Sequence, residues 1–484
     1  MSLHAVAGRS WGLVWRVSFP LLALACQTPR EPPPPALVTE PGTIPPIASA
    51  PDTEVLLGVG QADSVVAAML RQVQDVRELS ARSPVSSRVI TRAEMIKQVR
   101  AHVERDVPTA ALRGQGEFLT ALGFLPPTFD FAQGLFDLLE AQVAGYYEPA
   151  DKRMYLVSDL GPKETDATLA HELVHALQDQ HYDLEKRMKF RDDQSDALGA
   201  VQALAEGDAM AGMMDIEAGG PGASLAIPDD VLTTQMRVGI LLMPSTSSIP
   251  PIMRGSLVAP YADGVNLVQK LRRRGGFAEV DRVWRRPPET TEQVLHLDKL
   301  DAREPALLVP GPPMDAFGGG FRKLYGDSNG EQGLRLAFEE WGPFARASAA
   351  AAGWGGDHFD VLVRGEGERE RFVTWWVRFD PGGKGDRCRE ADEAYAFIAE
   401  RAYKMDPTKK TPDVLCKDRA DLGPLAVARS RCDVVFAAGP FVRGEADRAT
   451  STKTTCVEVS AWLPGWVAKA GASGRSSSPS VTVR

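Results

Sequence analysis

Residues 168–177 read T-L-A-H-E-L-V-H-A-L, and His171-Glu172-Leu173-Val174-His175 is an H-E-x-x-H run. Two positions four apart on an α-helix lie about 40° apart around the axis, so both imidazoles face the same way. Two neutral His nitrogens so placed can bind one Zn²⁺ at roughly 2.0–2.1 Å. Glu172 is turned about 100° from His171, which aims its carboxylate at a water beside the metal rather than at the metal. That is the position of a general base. No other residue from 168 to 177 is charged, and Leu169, Leu173, Val174 and Leu177 repeat with helical spacing. The stretch therefore reads as a buried helix carrying polar groups that need partners. The bland alternative is a core helix with two satisfied histidines.

Zinc needs a third protein ligand, and two residues compete for the role. His181 follows His175 by six positions, as in H-E-x-x-H-x-x-G-x-x-H. That arrangement uses a glycine to turn the chain sharply, and this chain has Gln178 there. Glu206 lies in a second apolar helix, A-L-G-A-V-Q-A-L-A-E-G-D-A (197–209), after enough chain for a return past the first. We favour Glu206, which gives a His₂Glu site of His171, His175 and Glu206.

These motifs resemble those of gluzincin-type zinc metallopeptidases. More narrowly, the chain is similar to a group of poorly characterised bacterial H-E-x-x-H proteins. The similarity is carried by G-Y-Y-E-P (145–149), H-E-L-V-H-A-L-Q-D-Q (171–180), E-G-D-A (206–209), T-E-Q-V-L-H (291–296) and G-W-G-G-D (353–357), and covers roughly residues 90–360. The resemblance implies a zincin fold and peptide hydrolysis, with no known substrate. Thermolysin-like members have an Asp four residues after the ligand Glu, supporting a metal-bound His; here that position is Met210, and Asp208 points to another face. Members also use a distant His as donor to the developing oxyanion, and T-E-Q-V-L-H makes His296 the candidate. A capped structural histidine is the competing reading.

Outward from the motif, residues 1–26 read as an export signal, with Arg9 and Arg16 ahead of an apolar run ending L-A-L-A-C at Cys26. Lipidation at Cys26, hence a membrane anchor and a bacterial cell-envelope location, is expected; a plain signal cleaved near Ala25 is the alternative. Residues 27–55 are a Pro-rich spacer. Helices are expected at 62–79 and 91–105, the latter opened by the capping box T-R-A-E. Two short strands around Glu148–Lys152 would supply an open edge for an extended peptide. Residues 211–250 show no clear period, Val265–Arg274 reads as a helix stopped by Gly275-Gly276, and 278–284 is helical again. From about 359 the pattern is mixed: strands at 359–363, 372–379, near 423–438 and near 454–462, and a helix at 390–403. Cys388, Cys416, Cys432 and Cys456 are an even set without C-x-x-C spacing, which suggests two disulfides in any of three pairings.

The reading as a whole is an α+β protein. A zincin-like, mostly helical catalytic domain with a small edge-strand sheet spans 56–350, a smaller α+β C-terminal domain spans 351–470, and 471–484 is a disordered tail. Composition, 44% hydrophobic and 25% charged, suits a large core, and a net charge of −9 argues against nucleic acid. The expected partner is a peptide or protein substrate. A zinc-bearing envelope protein with a binding or assembly role and no catalysis is the alternative function.

Overall fold

The computed structural model describes residues 59–140, 145–159, 162–241, 247–309, 319–381, 388–444 and 448–473. The expected signal, Cys26, the Pro-rich spacer and residues 474–484 lie outside the described residues. The fold is α+β with two sheets.

The first half holds helices α1 (Val59–Arg77), α2 (Arg92–Asp106), α3 (Thr109–Leu122), α4 (Phe131–Glu140), α5 (Pro162–Tyr182), α6 (Ser195–Ala218), α7 (Asp229–Leu241), α8 (Pro251–Arg285) and α9 (Thr291–Leu295), with strands β1 (Ser86–Ile90), β2 (Gly145–Glu148) and β3 (Arg153–Val157). Thr91 caps α2 by accepting from Glu94 N at 3.2 Å, as its capping box requires. The three strands form a sheet in the order β1-β3-β2, so β2 is an edge. One core gathers Leu169, Leu173, Val174 and Leu177 of α5 with Val66 and Val73 of α1, Met210 and Met213 of α6, and Met154 of β3. The motif helix is thus enclosed on several sides, which explains its uninterrupted apolar composition.

One stretch of this half departs from the sequence reading and one agrees with it. Helix α6 runs on to Ala218 rather than giving way near 211, because Met213, Met214 and Asp215 are all buried. Its end is Gly219 at φ 104°, a conformation that favours glycine. The expected stop at Gly275-Gly276 is present: both have non-helical backbone angles, Gly276 at φ 65°, and α8 kinks there between a first part that starts at Pro251, ahead of the expected Val265, and a second that ends at Arg285.

The second half adds β4 (Arg322–Asp327), α10 (Gly330–Glu339), α11 (Phe344–Ala351), β5 (Trp354–Arg364), β6 (Glu370–Phe379), α12 (Arg389–Arg401), β7 (Val414–Lys417), β8 (Leu425–Ser430), β9 (Asp433–Arg443), β10 (Ala449–Ser451) and α13 (Cys456–Ser473). Seven antiparallel strands form one sheet, β4-β5-β6-β9-β8-β7, with β10 paired to β9. Phe359, Trp375 and Phe436 line one face under α3, α10 and α12; Leu362, Trp376 and Val435 line the other under α13.

The boundary at 350/351 does not separate two cores. Strand β4 precedes it, and Phe118 of α3 stacks on the sheet with its ring 4.2 Å from that of Phe359. The expected strand near 454–462 is the first part of α13. Its buried residues, Val459, Leu463, Trp466 and Val467, follow a helical period. Glu458 reaches back to accept from Thr455 N at 2.8 Å, half of a capping box legible as T-C-V-E. The cysteines pair as Cys388–Cys432 and Cys416–Cys456, the second fixing the start of α13 to β7. Among the described residues no helix is long and apolar enough to cross a membrane.

Candidate metal centre

Helices α5 and α6 bring His171, His175 and Glu206 together. His171 Nε2 lies 3.1 Å from His175 Nε2 and 3.1 Å from Glu206 Oε2, and His175 Nε2 lies 3.5 Å from the same oxygen. Ligand atoms about 2.0–2.1 Å from a tetrahedral metal sit roughly 3.3 Å apart, so this triangle has the size that one small cation requires. His171 is buried, whereas His175, Glu172 and Glu206 are half-buried, which leaves one side of the triangle open. His181 is elsewhere: its Nε2 is 2.7 Å from Ser80 O on the exposed side of α5.

The position of Glu206 depends on the glycine beside it. A Cβ on Gly207 would fall 2.1 Å from the backbone of Gly264, and one on Gly264 would fall 1.9 Å from Ala203 O. The α6 and α8 backbones therefore touch at these glycines. The contact places Tyr261, three residues before Gly264, against the site. Its ring stacks on His171 with centroids 6.0 Å apart and planes 27° apart, and its hydroxyl bonds to Glu206. Burial and the adjacent carboxylates keep that phenol protonated.

Gln178 fixes the protonation of His175. Its Nε2 donates to Ala205 O at 2.9 Å and to Asp208 Oδ2 at 3.2 Å, both of which can only accept. The amide is thereby oriented with Oε1 toward His175 Nδ1, 2.8 Å away. Nδ1 must donate, so the lone pair of neutral His175 is on Nε2, inside the triangle. Asp208 is itself held by Arg77 Nε at 2.6 Å and Trp284 Nε1 at 2.9 Å, all three residues fully buried. The partner missing from the sequence reading is thus Gln178 backed by Asp208. The sequence offered only a non-glycine at 178 and an acid two places after Glu206. His171 has no such support: its Nδ1 is buried without a partner among the described residues, and the Tyr261 ring orients it.

Glu172 stands beside the triangle, and its carboxylate with the two imidazoles forms a group compact enough to hold an ion. Its Oε2 accepts from Tyr147 N on edge strand β2 at 2.9 Å. Tyr147 OH donates to Asp179 Oδ2 at 2.8 Å, two turns further along α5, so β2 is fastened along the motif helix at both points. Tyr146 and Tyr155 are cross-strand partners stacked on each other at 5.1 Å and serve the sheet rather than the site. Burial raises the Glu172 carboxyl above its ordinary range. Burial also opposes charge on His175 and Glu206, but their mutual attraction wins, holding His175 up and Glu206 down. The pocket thus favours positive charge at its centre.

His296 is not brought to this site. Its Nε2 is 2.8 Å from Glu331 Oε1 at the start of α10, and no hydrogen bond or ion pair among the described residues links it to the triangle. A second acidic group, Glu292, Glu304 and Asp380, surrounds the Lys299 ammonium, which supplies its cation. No protein-family model, curated protein or solved structure matches this chain.

Proposed function

We propose that this chain is a zinc-dependent peptidase of gluzincin type, with a zincin-like arrangement of α5, α6 and the β1–β3 sheet. The observation that carries the reading is the donor triangle of His171, His175 and Glu206 with Glu172 alongside. Zn²⁺ held there would supply a Lewis acid and an acidified water near neutral pH. Glu172 takes the proton of the attacking water and returns it to the departing amine, a role suited to a carboxyl whose pKa burial has raised. Tyr147 N–H keeps Glu172 aimed along the site. An extended peptide would lie against the free side of β2. Tyr261, a phenol that stays protonated beside Glu206, would take over the donation to the carbonyl oxygen expected of His296 once its proton turns from Glu206 toward the substrate. The two disulfides favour an oxidising compartment and support export, with anchoring through Cys26 as the accompanying proposal.

The test is turnover of casein by the full chain and by Glu172→Gln at equal zinc content. The expected loss is about 10²–10⁴-fold, the usual worth of a general base. Equal turnover in the two proteins would remove Glu172 from the chemistry. Zinc without turnover in either would favour a binding role for the site.

A further inference from the structure

A cavity of about 240 Å³ lies between α3, α4, the first turn of α6, the start of α8 and α10, apart from the metal centre. Phe118, Leu119, Leu135, Leu138, Ile252 and Met253 give it apolar walls. Asp196 also lines it and is only 5% exposed. Asp196 Oδ1 accepts from Thr291 N at 2.9 Å and Thr291 Oγ1 at 2.5 Å. Among the described residues no hydrogen bond reaches Oδ2, and none of their Lys, Arg or His side chains pairs with the carboxylate. The charged groups acting on it most strongly are Asp357 and Glu331, of its own sign. Both are engaged elsewhere, Asp357 by Asn329 N, Gly330 N and two indoles, and Glu331 by His296.

Buried carboxylates in folded proteins are normally matched by a cation. Here the wall is built closely around an unmatched one. A Cβ on Gly330 would fall 1.8 Å from Asp196 Oδ1, so the backbone at this point is committed to holding the acid. Burial lifts the Asp196 carboxyl to about 7, the behaviour of an acid that lacks a counter-charge. Solvent reaches the rim, where Ser256 is exposed and Gln115 half-exposed.

We propose that this cavity binds a small primary amine with an apolar body, its ammonium on Asp196 Oδ2 and its body among the phenylalanines and leucines. A chamber of 240 Å³ has the space of about eight liquid waters, enough for an aryl-ethyl group. Asp196 precedes Glu206 by ten residues on one helix, about 15 Å of rise. The ligand is therefore separate from the metal centre, and its binding does not depend on the peptidase reading.

The experiment is titration calorimetry on the full chain with 2-phenylethylamine, 2-phenylethanol and 3-phenylpropanoate at neutral pH. The amine is expected to bind at least about tenfold more tightly than the alcohol, as a charge-assisted bond to a buried carboxylate should, and the anion is expected not to bind. Asp196→Asn keeps an acceptor for Thr291 and should abolish the preference for the amine. Ser256→Trp, at the exposed rim, should block entry without disturbing the fold. No amine binding, equal affinity for amine and alcohol, binding of the anion, or amine binding unaltered in both variants would overturn the proposal and leave a water-filled chamber only.

Discussion

Around His171 the molecule positions its side chains with one connected network of buried charge, whereas around Trp375 apolar stacking and covalent links dominate and buried charge is local, as where Asp357 accepts from the Trp354 and Trp375 indoles and Glu117 is held by Arg371 and Arg443. Arg77, fully buried, bonds Asp208 and Asp281, and Asp208 bonds Trp284 and Gln178, the residue that orients His175. In the large sheet, Trp375 stacks on Phe436 at 5.1 Å and meets Phe118 edge-on at 5.4 Å, while both disulfides lie in this half. Dispersion is non-directional and cannot choose which nitrogen of an imidazole carries a proton. Directional bonds can, at the cost of desolvating each charge. The bonds that orient His175 are of this directional kind, while the buried ion pairs of the sheet half, Glu117 with Arg371 and Arg443, tie α3 to the sheet.

This contrast can be broken by removing one device at a time. The largest effect is expected from Arg77→Leu, which leaves Asp208 buried without its main cation. The loss of stability should be about 3–5 kcal/mol, read by denaturant unfolding, and zinc affinity should fall with it. Unchanged zinc affinity would separate Arg77 from the site. Cys416→Ser with Cys456→Ser should cost about 2–4 kcal/mol and leave zinc affinity as it was; loss of zinc would show that the sheet half supports the site after all. Gln178→Leu is the sharpest and smallest change. It should weaken zinc by about 10–100-fold, the usual worth of a bond that orients a metal-bound histidine, with turnover falling only through zinc loss.

Much of the donor triangle was legible because its spacing is local. The H-E-x-x-H run places two imidazoles by helix geometry alone, and the absent glycine at 178 agrees with His181 lying beside Ser80 O, away from the triangle. Glu206 was legible as an acid near the end of a largely apolar helical stretch that also holds Gln202 and Asp208. Gln178, Tyr261 and the Gly207–Gly264 contact were not, because each gains meaning only when α6 and α8 meet over α5. His296 was chosen on a motif, and its partner Glu331 lies 35 residues away, where no sequence period could reveal it. In the fold, the α13 segment was misread by weighting its apolar character over its capping box, and β4 was missed because its exposed residues gave no alternation strong enough to read.

The most direct measurement is zinc content per chain for the purified full-length protein, for Glu206→Gln and for His181→Ala. A His₂Glu centre predicts about one zinc per chain in the first, the same in His181→Ala, and loss in Glu206→Gln. Full zinc in Glu206→Gln, or none in the folded wild type, would contradict it.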